Sequence, residues 1–204
     1  MCSSDLRLIA FLALRGPTPR VTVAGTLWPD TTEDRALASL RTAVWRLRRL
    51  TPDVIAQRSA TLALGPGVSV DTAELGRSGE VVAPAGGVLP ELLPGWYDDW
   101  VVMERERQRH RFLRVLETAA ATAIDRGQPD AGLDRALVAV AADPLRESAH
   151  RLVIQALLAA GNLAAARRHL ALVRRIFTAQ LGAAPSDQLT RLFDVSSPAM
   201  VTVE

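Results

Sequence analysis

Between Thr31 and Leu50 the chain reads TTEDRALASLRTAVWRLRRL, with five arginines and no acid after Asp34. Guanidinium groups crowded on one short segment are the chemistry of anion recognition, since each presents a fork of five N–H donors and stays charged at any working pH. At about 100° per residue, Leu37, Leu40, Val44 and Leu47 share one stripe of a helix. Arg35, Thr42, Arg46 and Arg49 share the opposite stripe, with the small Ala38 and Ser39 between. Arg41 and Arg48 flank the apolar seam, where phosphate contact or a local salt bridge is expected. Like-charged neighbours one turn apart, such as Arg46 and Arg49, cost an isolated helix about 0.2–0.5 kcal/mol per pair, which an anionic partner would reverse. A solvated helix face shows the same pattern, so the segment alone leaves both readings open.

The charge is regional. Residues 1–70 hold nine arginines against five acids, whereas 71–204 hold fifteen against seventeen. That division suits a nucleic-acid-binding module joined to something else. There is no lysine, so every basic residue is arginine or histidine.

Other chemistries find little footing. His110, His150 and His169 are 40 and 19 residues apart, which matches no metal-ligand spacing, and Cys2 stands alone. No nucleophile-elbow motif, phosphate-binding glycine loop or paired-carboxylate pattern occurs, and Asp98-Asp99 is explained by a helix start. No enzyme activity, cofactor or metal is therefore expected. A single cysteine excludes a disulfide within the chain and suits a reducing interior. The apolar stretch from Leu6 to Leu14 is interrupted by Arg7 and stopped by Arg15-Gly16-Pro17, short of the ~18–20 residues of a membrane span. These features together predict a cytoplasmic protein with no membrane contact.

The elements that would position the arginines follow from period and punctuation. Residues 5–14 read as a short buried helix closed by Gly16 and Pro17, and Pro19–Leu27 as a second, ended by Trp28-Pro29-Asp30. Thr31 and Asp34 form a capping-box pattern ahead of the basic helix. Val54-Ile55-Ala56 and Thr61–Leu64, closed by Gly65-Pro66-Gly67, read as a hairpin. Three helices followed by a hairpin make a winged helix-turn-helix over 1–75, whose basic helix enters a major groove and whose wing tip, Arg58, touches the adjacent backbone or minor groove. Trp45 is expected to be partly buried, because an exposed indole is uncommon, and Trp28, Trp96 and Trp100 to serve packing.

Residues 76–95 are rich in Gly and Pro and read as a linker. From Trp96 to about 194 the pattern is helical throughout, and 195–204 is a flexible tail. The run ERERQRHRFLR interleaves Glu104 and Glu106 with arginine, as an exposed or domain-facing helix surface does. Gly127-Gln128-Pro129-Asp130-Ala131 and Gly161-Asn162-Leu163-Ala164-Ala165 are offset by 34 residues, the period of tetratricopeptide helix pairs. Asp143-Pro144 is expected to open the helix between them, and Gly182 with Pro185 to end the last long one. Ala136, Ala139, Ala156, Ala166 and Ala171 are expected where helices approach closely.

These stretches resemble the SARP-like (actinobacterial antibiotic-regulator type) transcriptional regulators, which join an OmpR-type winged helix to a bacterial transcriptional activator domain (BTAD) of tetratricopeptide-like helices. The resemblance rests on TLWPD (26–30), LRTAVWRLRRL (40–50), LLPGWYDDWVVMERER (92–107), AADPLRESAHRLVIQALLAAGN (141–162) and QLGAAPSDQL (180–189). It implies a mainly α fold and an activator that binds direct-repeat promoter DNA, as a homodimer in some cases. It also implies contact with RNA polymerase or a sigma factor. OmpR-type domains carry a small β-sheet ahead of the first helix, and this chain enters that helix within about six residues of Met1. The expectation is thus a winged helix that is incomplete at its N-terminus, with strand edges and apolar surface left uncovered. The competing expectation is a tetratricopeptide-like adaptor that binds protein and no DNA.

Overall fold

Glycines and prolines cut the chain into helices whose apolar residues recur every three or four positions, so each helix buries one face and exposes the other. A computed structural model describes residues 3–71 and 91–193. Cys2, residues 76–90 of the expected linker and the expected tail 195–204 lie outside the described residues. The elements are α1 (Ser3–Arg15), β1 (Thr18–Pro19), α2 (Arg20–Leu27), α3 (Glu33–Leu50), β2 (Ile55–Arg58), β3 (Thr61–Leu64), α4 (Asp99–Asp125), α5 (Pro129–Ala142), α6 (Glu147–Ala159), α7 (Leu163–Leu181) and α8 (Asp187–Arg191). The fold is mainly α with one small sheet. Residues 3–71 and 97–104 form one compact unit, and 91–96 and 105–193 form another.

In the first unit, Leu8, Phe11, Leu12, Val23, Leu27, Leu40 and Leu47 are buried as their spacing requires. The hairpin pairs Ile55 with Leu64 and Arg58 with Thr61. Gly65 closes it because a Cβ there would lie 1.8 Å from the Asp53 carbonyl oxygen. The second edge of β3 is not left open. Thr18 and Pro19, the latter expected inside the second helix, pair with Leu62 and Thr61 and give the antiparallel order β1-β3-β2. Proline lacks an N–H to donate and fits such an edge, and the N–H of Arg20 donates to the Ala60 carbonyl at 2.8 Å. The expected capping box does not form: Thr32 is the N-cap without a side-chain bond, and the Thr31 hydroxyl donates to the Trp28 carbonyl at 3.1 Å.

The segment 97–104 covers α1. Trp100 packs edge-on against Phe11 with ring centroids 5.4 Å apart, Asp98 pairs with Arg7, and Glu104 pairs with Arg15. Glu104, expected on an exposed or domain-facing helix surface, is fully buried. Glu106 stays exposed and bridges Arg109 and His110 at 3.3 and 3.0 Å.

The second unit carries the repeat. Gly127 and Gly161 both adopt a left-handed conformation, φ 72° and 73°. The N–H of Gly127 donates to Ile124 and that of Gln128 to Ala123, while Gly161 donates to Leu158 and Asn162 to Leu157. These are two copies of one Schellman cap, 34 residues apart. Phe112, Leu113, Leu116 and Ala139 form one part of the core, and Ile154, Ala166, Leu170, Val173 and Phe177 another. Ala136, Ala139, Ala156 and Ala166 are buried as expected, but Ala171 is exposed. At Gly132 an added Cβ would fall 2.6 Å from Ile124 Cγ1, so glycine lets α5 close onto α4. The intervening helix begins at Glu147, three residues beyond Pro144. Asp143 instead caps the end of α5, and the Pro144 carbonyl lies 2.9 Å from His150 Nε2.

Two histidines that sequence spacing separates meet in this core. His150 Nδ1 lies 3.0 Å from His169 Nε2. With Nε2–H of His150 donating to Pro144, its Nδ1 accepts from His169. Burial first, and the neighbouring His150 second, lower the His169 pKa from 6.5 to about 4. An unfolded histidine takes up its proton near 6.5, so between pH 6.5 and 4 the unfolded chain binds more protons than the folded one. Stability from this site is thus complete above pH 6.5 and declines as the pH falls toward 4. His169 is partly exposed, and water screening limits the loss to about 1–2 kcal/mol. Urea midpoints followed by circular dichroism should fall over that range, and His169→Gln should flatten the fall. An equal fall in the variant would exclude His169 as its source.

Candidate nucleic-acid interface

Helix α3 is oriented by what it buries. Ala36, Leu40, Ala43, Val44 and Leu47 are buried, and Leu37 is only half-buried. Replacing Leu37 by the two alanines as core positions turns the helix by about 40° about its axis relative to the leucine-valine seam. The outward pole then falls on Ala38, Trp45 and Arg49, with Arg35, Arg41, Thr42 and Arg48 around it, all exposed. Among the described residues, Arg35, Arg41 and Arg48 have no ion-pair partner. Two residues read as flanking the seam, Arg41 and Arg48, are exposed as Arg35 is. Thr42 is exposed, and its hydroxyl donates to the Ala38 carbonyl at 3.0 Å, leaving its lone pairs outward.

Arg46 is placed differently from its neighbours. Its Nε and Nη2 donate to Asp5 Oδ1 at 3.1 and 3.0 Å, and Nη2 also donates to Ser4 Oγ at 2.9 Å. Asp5 is almost wholly buried, while the Arg46 side chain keeps 36% of its surface exposed. Among the described residues Nη1 makes no bond. A buried carboxylate on α1 thus holds one edge of the guanidinium and leaves the other free. Sequence reading missed this partner because Asp5 lies 41 positions away in the chain.

Trp45 was expected to be partly buried, and the structure corrects that: 57% of it is exposed. Its indole takes Arg49 over its face, with the guanidinium carbon 5.0 Å from the ring centroid, a cation–π contact that orients both side chains. The signal in the sequence was the tryptophan's phase, since position 45 lies opposite Leu40 and Leu47 once Ala36 and Ala43 count as core. At the hairpin, Arg58 is exposed on the last residue of β2, beside the Ser59-Ala60 turn. Its neighbour Gln57 accepts from Arg20 at 3.1 Å. Among the described residues no group of three or more His, Cys, Asp or Glu could hold a metal ion. No helix among them is long and apolar enough to cross a membrane.

The assembled face is a helix with charged and small side chains outward, beside a short wing that carries one more arginine. Its donors are arranged for an extended anion, and its small residues permit close approach. A family model described as the bacterial transcriptional activator domain matches residues 73–195. The regulatory protein AfsR of Streptomyces coelicolor is 29% identical over 210 residues, covering 91% of this chain and 21% of that protein. The chain therefore spans about a fifth of the length of this curated relative.

Removing one partner from a buried, charge-assisted pair leaves the other unsatisfied, at about 1–3 kcal/mol. Asp5→Ala and Arg46→Ala should each lower the urea stability of the first unit by that order. The double variant should lose less than the sum, with a coupling above about 1 kcal/mol. Additive losses would mean that the pair contributes nothing to holding α3.

Proposed function

This chain belongs to the bacterial transcriptional activator domain family and is a SARP-like regulator, and on that footing we propose that it binds double-stranded promoter DNA through α3 and activates transcription. Residues 3–71 with their covering segment act as the DNA-binding module, and the helical unit acts as the activator domain that engages RNA polymerase, a sigma factor or a second copy. Direct repeats are the proposed sites. The observation that carries this reading is the exposed set Arg35, Arg41 and Arg48, without an ion-pair partner among the described residues, on one helix whose other face is core.

The side chains divide by chemistry. Arg41, Arg48 and Arg35 suit phosphate oxygens, as point contacts along the groove walls. Arg46, held by Asp5 with one edge free, is the proposed base reader, because a guanidinium fixed in advance loses little entropy on meeting a guanine edge. Thr42 offers a hydroxyl and methyl group beside it. Trp45 with Arg49 presents an apolar face to the groove, and Arg58 reaches the flanking backbone from the wing. The competing adaptor reading keeps the helical unit and gives α3 no nucleic-acid role.

Fluorescence anisotropy with a promoter duplex separates the two. Log K should fall linearly with log salt, by about 0.9 per phosphate neutralised. Arg41→Gln and Arg48→Gln should each reduce that slope by about 1 and leave sequence preference intact. Arg46→Gln should cost about 1–3 kcal/mol of discrimination at one base pair. An absence of salt-dependent binding by the parent protein would leave only the adaptor.

A further inference from the structure

Helix α7 carries a second array of cations that the reading above does not use. Its nineteen residues, LAAARRHLALVRRIFTAQL, contain four arginines and no acid. Arg167, Arg168, Arg174 and Arg175 are all exposed, and among the described residues none has an ion-pair or side-chain hydrogen-bond partner. The second unit pairs many of its other arginines. Arg146 clamps Glu117 at 2.7 and 2.8 Å, Arg105 reaches Glu91, and Arg109 reaches Glu106 and Asp143.

The spacing organises the four into two rows. Opposite the buried line of Ala166, Leu170, Val173 and Phe177, Arg168 and Arg175 mark the pole of the helix. Arg167 and Arg174 form a parallel row about 100° round. Between the rows run Ala164, Ala171 and Thr178, all small and exposed. Within a row the arginines are seven residues apart, about 10.5 Å at 1.5 Å per residue. Along the axis of a duplex that equals about three base-pair rises, at about 3.4 Å each. A shallow trough with guanidinium rims admits a charged strand lengthwise. The floor carries only small side chains, and the exposed leucines of the helix, Leu163, Leu172 and Leu181, lie outside the trough between the two rows.

We propose that the exposed face of α7 binds the phosphodiester backbone of DNA, a second and sequence-indifferent contact supplied by the helical unit. The proposal rests on the DNA-binding reading and extends it from α3 to the activator domain. Recognition would be by arginine–phosphate hydrogen bonds along the two rows, with the alanine floor allowing the strand to approach.

The test uses the full chain and the same duplex. The variant R167Q/R168Q/R174Q/R175Q should reduce the slope of log K against log salt by about 3 to 4, at about 0.9 per phosphate contact. The ratio of specific to non-specific affinity should stay unchanged. A control, R111Q/R114Q/R126Q/R191Q, removes the same net charge from exposed arginines scattered over α4, the residue after it and α8, and should leave the slope within about 1 of the parent. An α7 variant with the parent's slope, or a control that falls as far, would overturn the proposal while leaving α3 as the DNA-binding element. A parent protein with no salt-dependent binding would instead remove the DNA reading itself.

Discussion

The angle at which α3 rests on its own unit governs which side chains the first unit presents. Ala36 and Ala43 sink into the core with Leu40, Val44 and Leu47, and Asp5 takes hold of Arg46 from α1. Packing sets the rotation and the ion pair locks it. With that rotation Arg41, Trp45 and Arg48 look outward, and Leu37 gives way to the surface. A turn of half a helical position either way would exchange the guanidiniums at the pole, and the presented chemistry would change with no change in sequence.

The second unit follows a different economy of side chains. Its repeat consists of two identical caps around Gly127 and Gly161, where a left-handed residue ends one helix and releases the next. Small residues then set the spacing: Gly132 meets α4, and Ala136, Ala139, Ala156 and Ala166 fill the contacts. Glu117 shows how polar groups are accommodated there. Burial alone would raise its pKa, but hydrogen bonds from Arg146 and Ser148 outweigh that and hold it below the ordinary value. The bidentate clamp fixes the turn before α6. Glu147 does similar service for the Ser186 N–H and hydroxyl ahead of α8. With its own interior satisfied, the unit can leave α7 with four arginines facing water.

Much of this organisation was legible before any coordinates. The helix order, the hairpin, the 34-residue repeat and the basic character of α3 follow from period, glycine placement and local charge, all properties of near neighbours in the chain. What misled the reading was local too. Thr31 and Asp34 satisfy a capping rule that the turn at Trp28 overrides, and Asp143-Pro144 looks like a helix start although the chain first makes a turn that meets His150. Pro19 was assigned by its neighbours to a helix, while Leu62 and Thr61, more than forty residues away, claim it for a strand edge.

The sequence by itself determined which segments are helical, which helix is basic and where the repeat lies, because those depend on side-chain size and charge at spacings of three to seven residues. Only the tertiary structure decided that alanines rather than Leu37 complete the α3 core, that Asp5 holds Arg46, that Trp45 stands outward, and that His150 meets His169. The physical reason is that an alanine, a buried acid or a histidine carries no mark of its partner in the chain. Its environment is fixed by whatever the fold brings against it from tens of residues away.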